Sequence, residues 1–278
     1  MTCVGASNAG KTAREGSSAE NNGVGPRHPS TSELQARTRE SSWSRLGLSE
    51  GDVHIWCAPL DKVEATPFLW NTLSQQERER ANGFLLKRDL RRFVVGHAYL
   101  RGILGQYTGI SPKDIPLASE THGKPSLGGS WEAKRIRFNM THSTGLALFA
   151  VTLDRAIGVD LEGVTRTPGL EEMVARYFSK PERAYIEAFR GLRRRRAFFR
   201  VWTRREALAK GMGRGLSGLL DSDLAHCDCS QKSTRIGDWQ IEGLDNRPGF
   251  EAAVARNGPI KRITPKEITE VALLAERQ

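Results

Sequence analysis

The chain has 278 residues, with 42 Lys and Arg against 32 Asp and Glu, a net charge of +10, and 38% apolar residues. That length holds one large domain or two of moderate size. Four cysteines make no disulfide framework and fit a reducing cytoplasm, the apolar run Ser143–Leu153 is too short to span a bilayer, and the basic balance suits polyanionic or acidic partners.

Residues 1–50 are rich in Gly, Ser, Thr, Asn, Glu and Arg, with large apolar residues only in isolation. Such a tail buries too little surface to offset its ordering entropy and is expected to stay disordered. It also lacks the apolar core of a signal peptide. Within it GASNAGKT, Gly5 to Thr12, satisfies the phosphate-loop pattern G-x-x-x-x-G-K-[ST]. That pattern binds phosphate only where a buried strand delivers the loop and a helix leaves it. Only Met1–Val4 stand before Gly5, and the polar stretch after Thr12 offers no packed helix. A P-loop hydrolase is not expected.

VHIWCAPL (Val53–Leu60) reads as a strand. A helix is expected over Gln75–Leu86, with Ser74 and Glu77 in capping-box positions, and a second over Asp89–Gln106. HGKPSL (His122–Leu127) is a polar loop that sets Lys124 between Gly123 and Pro125. IRFNM (Ile136–Met140) and GLALFAVTL (Gly145–Leu153) read as strands. FNMTHS (Phe138–Ser143) ends the first of them in a hydroxyl, Thr141, and a histidine, His142, which taken alone is more often structural than functional.

In the strand IGVDLE (Ile157–Glu162), Asp160 and Glu162 share a face while Val159 and Leu161 pack behind them. Two acids on one face repel unless a cation lies between, and oxygen-only ligands favour Mg²⁺. An exposed strand carrying two solvated acids accounts for the same spacing. Ser179 and Glu182 repeat the capping box before helices over Pro181–Ala188 and Arg194–Gly211, and the run Arg193–Arg196 reads as a solvated helix face rather than a nucleic-acid patch. Glu206 and Lys210 are i and i+4, by default a surface ion pair. Yet Trp202 lies one turn earlier on nearly the same side, and Gly211, Gly213 and Gly215 follow, which brings backbone close to something bulky. His226, Cys227 and Cys229 lack a second cysteine pair and read as a surface loop rather than a zinc site. WQIEGL (Trp239–Leu244), FEAAVA (Phe250–Ala255) and ITEVALL (Ile268–Leu274) read as strands.

A shift of 105 residues lays Ser74, Glu77, Arg78, Phe84, Arg88, Arg91 and Phe93 on Ser179, Glu182, Arg183, Phe189, Arg193, Arg196 and Phe198 without a gap. Two similar α/β halves, 51–155 and 156–275, are therefore expected, packed as a pseudo-dimer behind the tail 1–50.

Taken together, GKP, FNMTHS, GVDLE, FSKPE and WTRREALAKGMGRGL resemble the signatures GKP, FNxSHS, G-[IV]-D-[IV]-E, F-S-x-x-E and W-[ST]-x-K-E-A-x-x-K-x-x-G-x-G-L. Those belong to the phosphopantetheinyl transferases of the larger, surfactin-synthetase-activating type. Order and approximate spacing agree over roughly residues 53–275, while Thr141 replaces a serine and Arg205 a lysine with hydroxyl and charge kept. The tail has no counterpart in these signatures. The resemblance implies an α/β (α+β) fold with two similar halves about a pseudo-twofold axis. It implies an enzyme that moves the 4′-phosphopantetheine arm of coenzyme A onto a serine of an apo carrier protein, releasing 3′,5′-bisphosphoadenosine. Asp160, Glu162 and Glu206 would hold Mg²⁺, with Mn²⁺ as the alternative, and Glu206 or a water it holds would be the base. Lys210 would stabilise the departing oxygen, and Lys87, Arg92, Lys124, Thr141, His142 and Lys210 would contact the cofactor, His142 at its 3′-phosphate. Arg88 and Arg91 compete with Lys87 and Arg92 for that role. Implied partners are coenzyme A and an acidic carrier protein or domain, with neither nucleic acid nor membrane. A cytoplasmic monomer is expected, its site lying between its own halves.

Overall fold

Strict alternation builds the first sheet. In β1 (Asp52–Pro59) Trp56 and Ala58 turn to one side and Val53 and Ile55 to the other, and every residue of β5 (Leu146–Leu153) is buried. These strands belong to a computed structural model that describes residues 46–119, 124–130, 133, 135–214, 230–245 and 248–268. The phosphate-loop pattern, Gly215, the His226–Cys229 cluster and all of the expected strand 268–274 except Ile268 lie outside the described residues.

In chain order, β1 is followed by α1 (Pro67–Thr72), α2 (Gln75–Asn82), α3 (Lys87–Thr108), β2 (Leu117–Ser119), β3 (Pro125–Leu127), β4 (Ile136–Ser143) and β5. Then come β6 (Ile157–Gly163), α4 (Leu170–Tyr177), α5 (Lys180–Glu187), α6 (Gly191–Met212), β7 (Ser233–Ile236), β8 (Trp239–Gly243), β9 (Phe250–Asn257) and β10 (Arg262–Glu267). The fold is α+β. One four-stranded sheet has the order β10-β1-β5-β4, the other β6-β9-β8-β7, and β2-β3 form a two-stranded ribbon.

The two large sheets are wired alike. Each has an opening strand (β1 or β6), then helices, then a hairpin whose second strand (β5 or β9) lies antiparallel beside the opener. Both helix sets contain a short helix with a capping box, at Ser74–Glu77 and Ser179–Glu182, and a 22-residue helix, α3 or α6. One apolar core lies between α3 and the first sheet, and a second between α4–α6 and the other sheet. A third joins the facing sides of the two sheets, where Val53, Ile55, Leu148 and Ala150 meet Val159, Leu161, Ala252 and Val254.

Strands β4 and β6 are each the edge of their sheet, and side chains stitch one edge to the other. Asn139 Oδ1 accepts from Val159 N at 2.9 Å, Thr141 Oγ1 donates to Asp160 Oδ1 at 3.2 Å, and Ser143 Oγ donates to Glu162 Oε2 at 3.0 Å. Ser143 Oγ also accepts from Gly163 N at 3.2 Å. The stitching covers two edges that would otherwise be open to pairing with other chains. This seam, polar inside an apolar surround, positions the site.

Several elements depart from expectation. Leu48 is buried at 2% exposure, so chain assigned to the tail already packs on the first core. Helix α2 stops at Asn82 because Gly83 caps it, and α3 starts two residues early, at Lys87. Elements α1, α4, β2, β3, β7 and β10 were not anticipated. Most consequential is β10, which pairs parallel with β1, Asp52 opposite Arg262. The half expected over 156–275 therefore gives its last described strand to the other sheet.

Candidate active site

The site begins with a close backbone approach. A Cβ on Gly158 would lie 2.0 Å from Ala207 O and 2.3 Å from Gly211 N, so only glycine lets β6 touch the end of α6. A Cβ on Gly211 would lie 2.4 Å from Trp239 Cζ3, so a bulky ring does press on that glycine, whereas Gly213 has nothing within 4 Å. With strand and helix in contact, the polar face of β6 meets a stripe of α6 in which Trp202, Glu206 and Lys210 are half-buried between buried neighbours.

Asp160 is 3% exposed. Its Oδ1 accepts from Lys210 Nζ at 2.5 Å and from Thr141 Oγ1 at 3.2 Å, and Lys210 Nζ also reaches Thr141 Oγ1 at 3.2 Å. Asp160 Oδ2 is buried without a hydrogen-bond partner. Burial raises the Asp160 carboxyl above its ordinary range against the pull of Lys210. Burial, then the Asp160 charge, raises Glu162. Glu206 is raised by burial first, then by Asp160 and Glu162, with Lys210 opposing. The three acids thus share one electrostatic field.

Among the described residues no group of three or more His, Cys, Asp or Glu side chains stands arranged to hold a metal ion by itself. Mg²⁺ does not need one, because it binds through one or two carboxylates and completes its shell with phosphate and water. An orphaned carboxylate oxygen, an oxygen-only donor set and two further acids in the same field fit such an ion.

Alongside, on the first-half side, lies a cleft of about 660 Å³. Its walls include Arg80, Arg92, Phe93, His97, Met140 and His142, a size and mixture suited to a nucleotide-like ligand. His142 stands exposed at the rim. Crowding by the walls is the largest influence on it, followed by the charges of Lys210 and Arg92, and together they push its pKa below the usual histidine value. Deeper in, Phe93 stacks on His97 with centroids 4.0 Å apart, and the Arg80 guanidinium lies 5.3 Å from the Phe93 ring.

The structure sorts the expected residues. Asp160, Glu162, Glu206, Lys210 and Thr141 come together at the seam, and His142 and Arg92 line the cleft. The Arg92 guanidinium is already held by Asp61, at 2.7 and 2.5 Å, and Arg91 shares that carboxylate at 3.2 Å. Lys87 is exposed in the first turn of α3 and is not part of the cleft lining. Lys124 turns instead to backbone carbonyls of the second half, those of Ile157, Lys210 and Gly211. The sequence reading missed Arg80, Phe93 and His97; Arg80 lies three residues after Glu77 on α2 and His97 four after Phe93 on α3, and that helical spacing is the signal that could have found them.

An α+β chain with acids and a lysine beside a nucleotide-sized cleft suits group transfer on an anionic substrate. A profile of the 4′-phosphopantetheinyl transferase superfamily matches residues 156–255, and one described as 4′-phosphopantetheinyl transferase, N-terminal, matches residues 62–153. The chain is 38% identical over 181 residues to the 4′-phosphopantetheinyl transferase HetI of Nostoc sp., covering 65% of this chain and 76% of that protein. It is 28% identical over 220 residues to the 4′-phosphopantetheinyl transferase Sfp of Bacillus subtilis, covering 77% and 93%. It is 30% identical over 150 residues to the L-aminoadipate-semialdehyde dehydrogenase-phosphopantetheinyl transferase of Xenopus laevis, covering 51% and 49%. The chain belongs to the 4′-phosphopantetheinyl transferase superfamily and is a transferase.

Proposed function

We propose that the chain moves the 4′-phosphopantetheine arm of coenzyme A onto a serine of an apo carrier protein at the β4–β6 seam. The observation that carries this is Asp160: buried, held on one oxygen by Lys210 and Thr141, unpartnered on the other, and in the field of two more acids. Asp160 would hold Mg²⁺ through its unpartnered oxygen, with Glu162 and Glu206 closing in as further ligands once the ion is there, and the bound ion would draw charge from the pyrophosphate. The cleft takes the adenosine end of coenzyme A, with His142 donating to the 3′-phosphate from the rim. Glu206, or a water it holds, takes the proton of the carrier serine. The serine oxygen then bonds to the phosphorus that bears pantetheine. The bond from that phosphorus to the bridging oxygen breaks, and 3′,5′-bisphosphoadenosine leaves. Lys210, already beside Asp160, neutralises the departing oxygen.

Coenzyme A is polyanionic, and a net charge of +10 favours its encounter and that of an acidic carrier. Both sides of the seam come from one chain, which supports a monomeric enzyme with the two halves related by a pseudo-twofold axis. Among the described residues no helix is long and apolar enough to cross a membrane. We assign it to the cytoplasm on its cysteine usage.

Incubation with coenzyme A, Mg²⁺ and apo carriers from fatty-acid, polyketide and peptide-synthetase systems, read by intact mass, tests the reading. One carrier should gain one phosphopantetheine, and its serine-to-alanine form should gain none. No gain on any carrier overturns it. Sedimentation at micromolar concentration checks the monomer.

A further inference from the structure

We infer that Lys124 is a positioning residue, a clamp from the first half that fixes the corner where β6 meets the end of α6 and thereby sets Lys210 beside Asp160. Its part in catalysis rests on the transfer proposed above. Lys124 Nζ donates to Ile157 O at 3.0 Å, Lys210 O at 2.9 Å and Gly211 O at 3.3 Å. An ammonium has three hydrogens to give, and three carbonyls converge on this one.

Two of those carbonyls lie in the last turn of α6, where carbonyls lack helical partners and the negative end of the helix dipole gathers. Gly213, at φ 66°, ends the helix and sends its N–H back to Ala209 O and Lys210 O. The third carbonyl opens β6, the strand that carries Asp160. The corner is the same one at which Gly158 and Gly211 nearly touch. Glycines permit that approach but supply little attraction. The ammonium supplies it, drawing the two backbones together from outside. Lys210 is then held at both ends, its carbonyl by Lys124 and its side chain by Asp160 and Thr141.

The test compares wild type with Lys124→Met, which keeps an apolar stem and removes the donor. With coenzyme A, Mg²⁺ and a competent apo carrier, kcat should fall about tenfold while Kd for coenzyme A stays within about threefold. Independently of activity, the amides of Gly213 and Arg214, which bond Lys210 O and Ala209 O, should exchange at least about tenfold faster, with α3 amides unchanged. A tenfold or larger loss of coenzyme A affinity makes Lys124 a phosphate contact and overturns the inference. So does a lowered Tm with kcat and exchange unchanged, which is what a merely structural role gives. Should Lys124→Met fail to fold, Lys124→Arg, which keeps the charge and alters the donor geometry, is read by the same outcomes. If wild type transfers nothing, the transfer reading falls while amide exchange still decides the clamp.

Discussion

In the first half, Glu77 takes the Ser74 N–H at 2.8 Å, Arg101 Nε at 2.7 Å and His97 Nδ1 at 2.8 Å. In the second, Glu182 takes the Ser179 N–H at 2.8 Å and Arg205 through Nε and Nη2 at 2.9 and 2.8 Å. Both arginines are buried, and both also hold backbone carbonyls, Arg101 those of Pro112 and Ile115, Arg205 that of Tyr177. One device thus serves twice, a helix cap locked by an arginine from the long helix that follows. The surroundings differ. Glu182 is sealed under its helices, whereas Glu77 and His97 line the cleft. The same kind of ion pair is thus sealed in one half and forms part of a cleft wall in the other.

Removing the sealed pair should do most damage. Arg205→Met leaves the buried Glu182 carboxylate without its cation, and we expect a loss of about 3–5 kcal/mol in urea unfolding. Arg101→Met should cost less, because His97 and the Ser74 N–H still hold Glu77; an equal loss in both variants would erase the contrast between the halves.

Acid should separate the halves next. Burial opposes ionisation of Glu77, but hydrogen bonds from His97 and the Ser74 N–H and the charge of Arg101 prevail and bring its pKa from 4.5 to about 2. A depressed folded-state pKa means that this stability is present above pH 4.5 and lost as the pH falls towards 2, about 3 kcal/mol in all. The difference in urea midpoint between wild type and Glu77→Gln should be largest near neutral pH and close towards pH 2. A difference independent of pH contradicts the assignment.

The second half should carry the chemistry and the first the binding. Asp160→Ala and Glu206→Gln should each lower transfer at least about a hundredfold, roughly 2.7 kcal/mol, with near-UV circular dichroism preserved. Turnover at the parent level in either removes the mechanism. His142→Ala should have the smallest effect, weakening coenzyme A about tenfold at near-parent kcat. Titration with dephospho-coenzyme A sharpens this, because the variant should no longer distinguish the two cofactors; discrimination equal to the parent's refutes contact with the 3′-phosphate.

Much of this could be read before any coordinates. Both capping boxes, both long helices and the shared face of Asp160 and Glu162 follow from local spacing, which a single segment contains. What escaped depends on neighbours distant in sequence. The sequence ends the regular part of β4 at Met140, yet the strand runs on to Ser143, where the Thr141 and Ser143 hydroxyls are bonded to Asp160 and Glu162 on another sheet. β10 carries Pro265 and three charged residues, Arg262, Lys266 and Glu267, poor strand composition that an edge position tolerates. Nothing in GKP shows which carbonyls the fold brings to Lys124, because Ile157, Lys210 and Gly211 lie 33 to 87 residues further along the chain.

The parallel pairing of β10 with β1 also bears on how the chain is made. Arg262 and the Asp52 it bonds are 210 residues apart. A ribosome adding roughly 5–20 residues per second therefore leaves β1 exposed for some ten to forty seconds before its outer neighbour emerges. The first half can collapse on its own helix in that interval, but its sheet cannot close. Final locking of that sheet waits for β10, and any factor that shields a nascent β-edge acts on this chain in that window.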